Sequence, residues 1–386
     1  MRTIIAHNDD VDSLAAIEAI LGECEAKLAG AEPKGVLLFM TSEYDYELVL
    51  GRIHARWPRV PLVGASTDGQ LSSELGFRGD SICLTLLVGD ELEVIAGHGA
   101  QPSVDLPAAI ESVVASLEGR KPALCIVLCP ATCGNPSAVI HALHERLGPG
   151  ACPIVGGLAG DHEVQPTTRQ FFGATSTYDS LSVLFLSGPI QVSCGVASGW
   201  FPIGTKHRVT RSEGNKLYEI DGRPALDIYA GFWGNRVTAN LGEYPLAVRP
   251  SEDSEEFFLR AAMAVDAVEG SVTFAGDIVE GSIVSLTEVV PEGLLTGTET
   301  SIRRAVEHYT GEKPEMALLF SCAARKWVLG SRAEDEIVQL LKSIDELRLP
   351  AINLSGFYAF GEICPIESGG PPMLHNETCV TVLVGK

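Results

Sequence analysis

The chain has 386 residues, of which 46% are hydrophobic and 20% are charged, and its formal net charge at pH 7 is −22. That length exceeds what one hydrophobic core usually organises and predicts two domains, while the acidity argues against a nucleic-acid partner. The apolar stretches have the length of strands, and the N-terminal residues Met1–Asp12 are polar and acidic without a signal-peptide pattern. We therefore expect a cytoplasmic protein without membrane insertion.

The first third of the chain alternates helical and strand patterns. Apolar residues at helical spacing mark the helices, and short continuous apolar runs mark the buried strands. In chain order the predicted elements are a helix over Asp10–Leu28, a strand over Gly35–Met40, a helix over Tyr46–Trp57, a strand over Val60–Val63 and the turn Gly64–Gly69.

Two pairs of strands are predicted to be hairpins. Ser81–Val88 and Leu92–Ala96 flank the turn Gly89-Asp90-Glu91. Further along, Leu181–Leu186 and Ile190–Ala197 flank Gly188-Pro189. Short apolar strands separated by a glycine turn are typical of antiparallel hairpins.

The same order of elements returns later in the chain. Val60–Gly64 matches Cys152–Gly156, and Asp80–Leu87 matches Asp179–Leu186, at a period of roughly ninety to one hundred residues that indicates an internal duplication. A fainter third copy closes the chain. The helices and strands of the second copy are predicted over Leu106–Leu117, Ala123–Cys129, Ser137–Leu147 and Pro153–Val155. Those of the third copy are predicted over Met316–Ser321, Glu334–Ile344 and Thr378–Val384.

Different material lies between the second and third copies. Gly199–Thr205 breaks both periodicities, so the domain boundary is placed there. We expect an α/β protein of two domains, residues 1–204 with two internal repeats and residues 205–386. Their sheets are expected to be mixed parallel and antiparallel and flanked by helices, because each strand–helix–strand unit implies a parallel pair.

Three glycine turns follow buried strands and are the predicted ligand-binding loops: Gly64–Gly69, Gly156–Gly160 and Gly356–Gly361. Ligands of α/β proteins bind beyond the carboxyl ends of strands, and glycine lets backbone amides approach them. The three turns carry different polar side chains, which favours one asymmetric ligand site over three equal ones. The predicted ligand-binding residues are Gly64, Ser66, Thr67, Asp68, Gly69, Gly156, Gly157, Asp161, His162, Gly356, Phe357, Tyr358, Gly361, Glu362, His375 and Asn376.

No catalytic or metal motif is complete. No Walker or dinucleotide-binding pattern follows the glycine turns, and Ser66 lacks the glycine at position 68 that a nucleophile elbow needs. Cys129 and Cys133 are four residues apart, but no second pair completes a tetrahedral site. The sequence therefore predicts neither an enzyme nor a metal centre.

The motifs resemble those of one known family. Gly64–Leu71 and Gly156–Asp161 resemble a FIST N domain (F-box and intracellular signal transduction). His207–Thr210 with Tyr218–Asp227 resembles the opening of a FIST C domain, and Gly356–Ile363 with His375–Thr378 resembles its close. The resemblance extends over nearly the whole chain.

The resemblance implies an intracellular sensor without catalytic activity. Its ligand would be a small molecule of amino-acid type, and its signal would pass to a separate partner such as a histidine kinase or diguanylate cyclase. One alternative is a haem-based nitric-oxide sensor that controls a partner histidine kinase, with His162, His375 or His98 as the axial iron ligand. A second alternative is an adaptor that binds no ligand.

Overall fold

The computed structural model describes residues 1–162, 168–233, 241–349, 352–367 and 369–386. Within these residues the chain forms twenty-six β-strands and eight α-helices, which confirms the predicted mixed α/β class. Across the same ranges, no helix is long and apolar enough to span a membrane.

Side chains at the N-caps start four of the helices. Asp12, Asp45, Asp105 and Asn135 each accept a hydrogen bond from a backbone N–H of the first turn, which satisfies one of its orphan donors. The eight helices are α1 Ser13–Leu28, α2 Tyr46–Arg56, α3 Leu106–Ala115, α4 Pro136–Leu147, α5 Ala225–Trp233, α6 Pro291–Glu307, α7 Ala323–Leu329 and α8 Glu334–Glu346.

Three six-stranded sheets share one strand order. The first sheet runs β1 Arg2–Asn8, β6 Ile82–Val88, β2 Gly35–Met40, β3 Leu62–Ser66, β10 Gln170–Phe172 and β11 Thr175–Thr177. The second runs β7 Glu93–Ala100, β12 Ser180–Ser187, β8 Leu124–Cys129, β9 Ile154–Leu158, β24 Glu362–Pro365 and β25 Pro372–His375. The third runs β13 Gln191–Ala197, β26 Cys379–Gly385, β22 Pro314–Cys322, β23 Asn353–Ala359, β4 Gln70–Ser72 and β5 Gly76–Arg78.

Each sheet has one parallel pair at its centre and antiparallel neighbours around it. The parallel pairs are β2 with β3, β8 with β9, and β22 with β23. Each sheet is completed by a hairpin from a different part of the chain, so the hairpins interlock the three sheets in a cycle. The second and third sheets both join strands from either side of residue 204, while the expected boundary itself stays a prediction.

The predicted hairpins at Gly89–Glu91 and Gly188-Pro189 are wrong. β6 pairs with β1 and β2 in the first sheet, whereas β7 pairs with β12 in the second. In the same way β12 and β13 belong to different sheets. At these corners the chain passes from one sheet to the next, and the true hairpins lie in the stretches after the glycine turns.

Two further elements differ from expectation. Residues 2–8, expected to be a polar N-terminal segment, form the edge strand β1, whose residues Thr3–His7 are buried. Gly199–Thr205 was expected to break the periodicity, but β14 begins at Phe201 and runs to Glu213. Both are edge or half-exposed strands, whose mixed composition resembles that of loops.

The inward faces of the three sheets share one central core. Phe39, Leu128 and Phe320 are among its members, one from each sheet, and all are fully buried. Helices cover the outer faces: α1 and α2 pack on the first sheet, α3 and α4 on the second, and α6 and α8 on the third. The sheets therefore stand around a common axis, and the carboxyl ends of their parallel strands meet at one end of it.

An inserted module, residues 201–288, separates β13 from α6. It touches the rim of the second sheet, where Asn135 Nδ2 donates to Asp277 Oδ1 at 2.8 Å and Arg260 Nη1 donates to the Leu374 carbonyl at 3.1 Å. Its antiparallel strands are β14 Phe201–Glu213, β15 Lys216–Ile220, β16 Arg223–Pro224, β17 Leu246–Arg249, β18 Phe258–Arg260, β19 Ala262–Asp266, β20 Ser271–Phe274 and β21 Ile283–Glu288.

Candidate functional site

The three glycine turns lie together and form a closed ring of backbone hydrogen bonds. The second turn meets the first through Gly160 N–H, which donates to the Ser66 carbonyl at 2.9 Å. The first meets the third through Asp68 N–H, which donates to the Tyr358 carbonyl at 3.1 Å. The third meets the second through Leu158 N–H, which donates to the Gly361 carbonyl at 2.8 Å. The turns therefore build one asymmetric centre.

The first glycine of each turn lies inside a parallel strand. A Cβ at Gly64, Gly156 or Gly356 would lie 2.1, 1.9 or 1.9 Å from a backbone carbonyl oxygen of the neighbouring strand. No side chain fits there, so these glycines let the parallel strands close. Glycine is required at position 69 for a different reason, because the backbone φ of 102° there is unfavourable for other residues.

Asp68 is the charged centre of the ring. Its side chain is fully buried, and Oδ1 accepts a hydrogen bond from Lys326 Nζ at 2.5 Å and another from His162 Nδ1 at 3.0 Å. Lys326 Nζ also donates to the Asp68 carbonyl at 3.0 Å. Oδ2 of Asp68 is buried and has no hydrogen-bond partner among the described residues. A desolvated carboxylate oxygen without a donor is costly and is where a ligand donor would be stabilised.

His162 connects this centre to the surface. Its Nε2 donates to Asp80 Oδ1 at 2.7 Å, and its side chain is 32% exposed while that of Asp80 is 58% exposed. The hydrogen bond to Asp68, supported by the one to Asp80, raises the pKa of His162 to about 9 against the effect of burial. His162 is therefore an imidazolium at neutral pH, and both its nitrogens are donors.

Asp161 continues the polar cluster. Its Oδ1 accepts hydrogen bonds from Ser42 Oγ at 2.6 Å and from the His162 backbone N–H at 2.7 Å. The predicted residues Asp68, Asp161 and His162 are thus brought together. Sequence reasoning missed three partners: Lys326, Asp80 and Ser42. The available signal for Lys326 was a lysine four residues after the end of a buried strand in an acidic chain.

Ser66 and Thr67 are buried and engaged within the protein. Ser66 Oγ donates to the Gly160 carbonyl at 3.0 Å and accepts from Arg169 N–H at 2.8 Å. Thr67 Oγ1 contacts the side chain of Gln70. These hydroxyls therefore hold the turns in place and are engaged within the protein.

Phe357 and Tyr358 lie inside the core. The Phe357 ring packs on Phe39 with centroids 4.7 Å apart, and Tyr358 packs on Phe77 at 5.4 Å. The Tyr358 hydroxyl donates to the Ala333 carbonyl at 3.3 Å. Gly157 packs against the Phe357 ring, since a Cβ added at Gly157 would lie 3.1 Å from that ring.

Glu362 is a fully buried carboxyl group on β24. Oε2 accepts hydrogen bonds from the Thr378 N–H at 3.2 Å and from its hydroxyl at 2.7 Å. Oε1 has no hydrogen-bond partner within the described ranges. Burial raises the pKa of Glu362 to about 8 against the opposing effect of Thr378. The group is therefore largely protonated at neutral pH.

Asn376 and His375 lie at the rim and not at Asp68. Asn376 Oδ1 accepts from the Ala261 N–H of the inserted module at 3.4 Å. His375 Nε2 lies 2.8 Å from the Cys364 carbonyl, and burial lowers the pKa of His375 to about 4. Asn376 therefore joins the end of β25 to the inserted module, whereas His375 holds the β24–β25 hairpin together.

Two of the three histidines proposed as axial ligands, His162 and His375, are engaged within the protein. Both nitrogens of His162 are bound to carboxylates, and His375 is buried against a carbonyl. His98 is half-buried, with its ring 5.0 Å from that of Phe172, and its Nε2 is buried without a hydrogen-bond partner among the described residues. A cavity of about 720 Å³ lies between 117–122 and 146–151 and another of about 260 Å³ at Gly89–Leu92 and Lys386, and neither is lined by His or Cys. In the part of the chain that is described, no three His, Cys, Asp or Glu side chains are grouped to hold a metal ion.

Comparisons with known proteins identify two family models. Residues 34–223 match the FIST N domain and residues 225–365 match the FIST C domain. No curated protein matches.

Solved structures resemble the chain only distantly. Cyanuric acid hydrolase from A. caulinodans has 10% identity and a TM-score of 0.28, with 100% of this chain and 98% of that chain covered. PurLQS from Thermotoga maritima has 11% identity and a TM-score of 0.24, with 100% and 72% covered. Similarity at this level supports no statement about function.

Proposed function

The chain belongs to the FIST family, whose domains are associated with small-ligand-sensing signal transduction, and on this premise we propose that it binds a ligand of amino-acid type and regulates a separate partner protein. FIST domains are sensory domains and are not known as catalysts. The family resemblance favours a histidine kinase or a diguanylate cyclase as the partner.

One observation carries the choice of ligand site. Asp68 Oδ2 is a buried carboxylate oxygen without a donor among the described residues, although Oδ1 of the same group has two. An ammonium group bound there would complete the coordination of the carboxylate. Charge-assisted hydrogen bonds of this kind are roughly twice as strong as neutral ones.

The neighbouring charges suit a zwitterion. His162 is an imidazolium that reaches the surface, and Lys326, whose side chain is 16% exposed, supplies a second cation. Lys326 uses two of its three N–H donors on Asp68 and would give the third to a ligand carboxylate. His162 would donate to it only by exchanging its bond to the exposed Asp80, while Asp68 accepts from the ligand amine. A free α-amino acid carries both groups two bonds apart, so it matches a site in which acid and base alternate.

The position of Asp68 supports a route for the signal. Its two protein partners come from different parts of the fold, because His162 follows the second glycine turn and Lys326 lies on α7 after the third sheet's strand β22. A ligand that competes for these partners would shift the balance between two arrangements of the turns. A partner protein would read that population shift.

The two alternatives have less support. For the haem-based nitric-oxide sensor, His162 and His375 are engaged within the protein. His98 has a buried Nε2 without a hydrogen-bond partner among the described residues, but it lines neither of the two cavities. The adaptor that binds no ligand leaves Asp68 Oδ2 unexplained, and it is kept as an outcome of the test.

A thermal-shift screen of the purified chain against the free amino acids tests the proposal, since a ligand that binds the folded state raises Tm. We expect at least one amino acid to raise Tm in a dose-dependent way, and the shift to vanish in Asp68→Asn. Asp9→Asn is the matched control, because Asp9 is an exposed carboxylate paired with Arg78. No shift with any amino acid, together with co-purification of a kinase in their absence, would support the adaptor instead.

A further inference from the structure

Two of the ten cysteines form a thiol pair at the edge of the site. Cys129 ends the buried strand β8, Cys133 lies in the loop before α4, and their Sγ atoms are 3.7 Å apart. All ten cysteines are free thiols. A disulfide needs sulfurs about 2.0 Å apart, so this pair, at 3.7 Å, must close by about 1.7 Å for the bond to form.

The two thiols differ in access. Cys133 is itself buried, with 6% exposure, but it lies between the exposed residues Thr132 and Gly134. Cys129 is completely buried, in a strand that is buried throughout. The hydrogen bond with Cys133 and burial raise the pKa of the Cys129 thiol well above its usual range. Small oxidants therefore meet Cys133 first, and Cys129 is placed to resolve the product.

We propose that Cys129 and Cys133 are a redox-modification site that hydrogen peroxide closes into an intramolecular disulfide. The Cys133 thiolate attacks one peroxide oxygen, the O–O bond breaks, and the sulfur becomes a sulfenic acid while the leaving oxygen takes a proton to form water. The Cys129 thiol then attacks the Cys133 sulfur, and the S–O bond breaks. The hydroxyl leaves with the Cys129 proton as a second water. The two thiols lose two electrons and two hydrogens, and the peroxide is reduced to two waters.

The disulfide would link two segments that each make a hydrogen bond to another part of the fold. The Cys129 carbonyl accepts the Ala159 N–H of the second glycine turn at 2.8 Å. Two residues after Cys133, Asn135 donates to Asp277 of the inserted module at 2.8 Å and caps α4. The crosslink thus ties the ring of glycine turns to the segment that holds the module, which makes the ligand site sensitive to oxidation.

Peptide mapping of the full chain after treatment with hydrogen peroxide tests the site. The tryptic peptide 121–146 contains Cys125, Cys129 and Cys133. We expect alkylation after oxidation to label Cys125 alone, and a reductant to restore all three labels. Cys133→Ser and Cys129→Ser should abolish the loss of label, while Cys152→Ser, which removes a thiol outside the pair, should leave it unchanged.

Two results with the wild-type protein would overturn the proposal. One is alkylation of all three cysteines after peroxide treatment, and the other is a disulfide that joins Cys129 or Cys133 to any other cysteine. Hydrogen exchange measures whether the disulfide is coupled to the glycine turns. The Ala159 amide should exchange several-fold more slowly in the oxidised protein, and equal exchange in both forms would refute the link to the glycine turns.

Discussion

Lys326 Nζ lies 2.5 Å from Asp68 Oδ1, although 258 residues separate the two in the chain. The contact joins the first glycine turn to the helix that follows β22 of the third sheet. Because Asp68 is fully buried, this lysine and His162 are the cationic partners of its carboxylate.

Removing the lysine leaves a buried carboxylate with one cation. We expect Lys326→Met to reduce the free energy of unfolding by about 3 kcal/mol, since breaking a buried ion pair from one side leaves an uncompensated charge. Urea denaturation gives the measurement. Lys342→Met is the matched control, because Lys342 is exposed and pairs with Glu346 across one helical turn, and its effect should stay within about 0.5 kcal/mol. Equal effects of the two variants would contradict the assignment.

His162 should make stability depend on pH. Its folded pKa of about 9 lies above the ordinary 6.5, so its stabilising contribution is complete below pH 6.5 and is lost as pH rises through 9. Stability curves between pH 6 and pH 10 should show this loss in the wild type and a smaller loss in His162→Asn. His54→Asn, a change at an exposed helical histidine, should retain the wild-type slope. A wild-type slope in His162→Asn would show that His162 is not the titrating group.

Two fully buried glutamates should respond in opposite ways to the same substitution. The folded pKa of Glu362, about 8, lies above its unfolded value, so the group costs stability increasingly as pH rises from 4.5 through 8. Glu362→Gln should therefore raise the free energy of unfolding at pH 8 by about 1 kcal/mol or more.

Glu336 provides the contrast, because its Oε1 lies 2.6 Å from Nη2 of the buried Arg325. Glu336→Gln should lower the free energy of unfolding by about 3–5 kcal/mol. Chemical denaturation at pH 5 and pH 8 compares the variants. Destabilisation by Glu362→Gln at pH 8 would mean that the wild-type carboxyl is ionised and stabilising.

The glycines inside the parallel strands should not tolerate a side chain. Gly156→Ala would place Cβ 1.9 Å from the Val127 carbonyl, and we expect a loss of more than about 3 kcal/mol or failure to fold. Gly22→Ala is the control, because a Cβ in that helix meets no atom within 4 Å, and it should stabilise by about 0.5–1 kcal/mol. Thermal unfolding of the two variants gives the comparison. A Gly156→Ala variant as stable as the wild type would refute the close approach of Gly156 to the Val127 carbonyl.

The sequence predicts the local part of this fold well and the long-range part poorly. Gly35–Met40 is predicted with its observed bounds because a buried strand is a continuous apolar run. The pairing of β6 and β7 is wrong because a glycine corner between sheets has the same pattern as a hairpin turn. Which sheet a strand joins depends on contacts that local periodicity does not contain.

The site shows the same division. Asp68, Asp161 and His162 are predicted because polar residues after buried strands stand out locally. Lys326 and Asp80 are missed because the partner of a buried charge is selected by tertiary proximity. Phe357 and Tyr358 are bulky residues beside a glycine turn, and sequence alone does not separate a core aromatic from a ligand-facing one.

Isothermal titration calorimetry of the best amino acid from the screen tests the Asp68 site most directly. We predict saturable binding of one ligand per chain to the wild type and to Asp9→Asn, and a loss of at least about tenfold in affinity in Asp68→Asn, which corresponds to 1.4 kcal/mol. Unchanged affinity in a folded Asp68→Asn protein would contradict the account, because the ligand would then bind away from the ring of glycine turns.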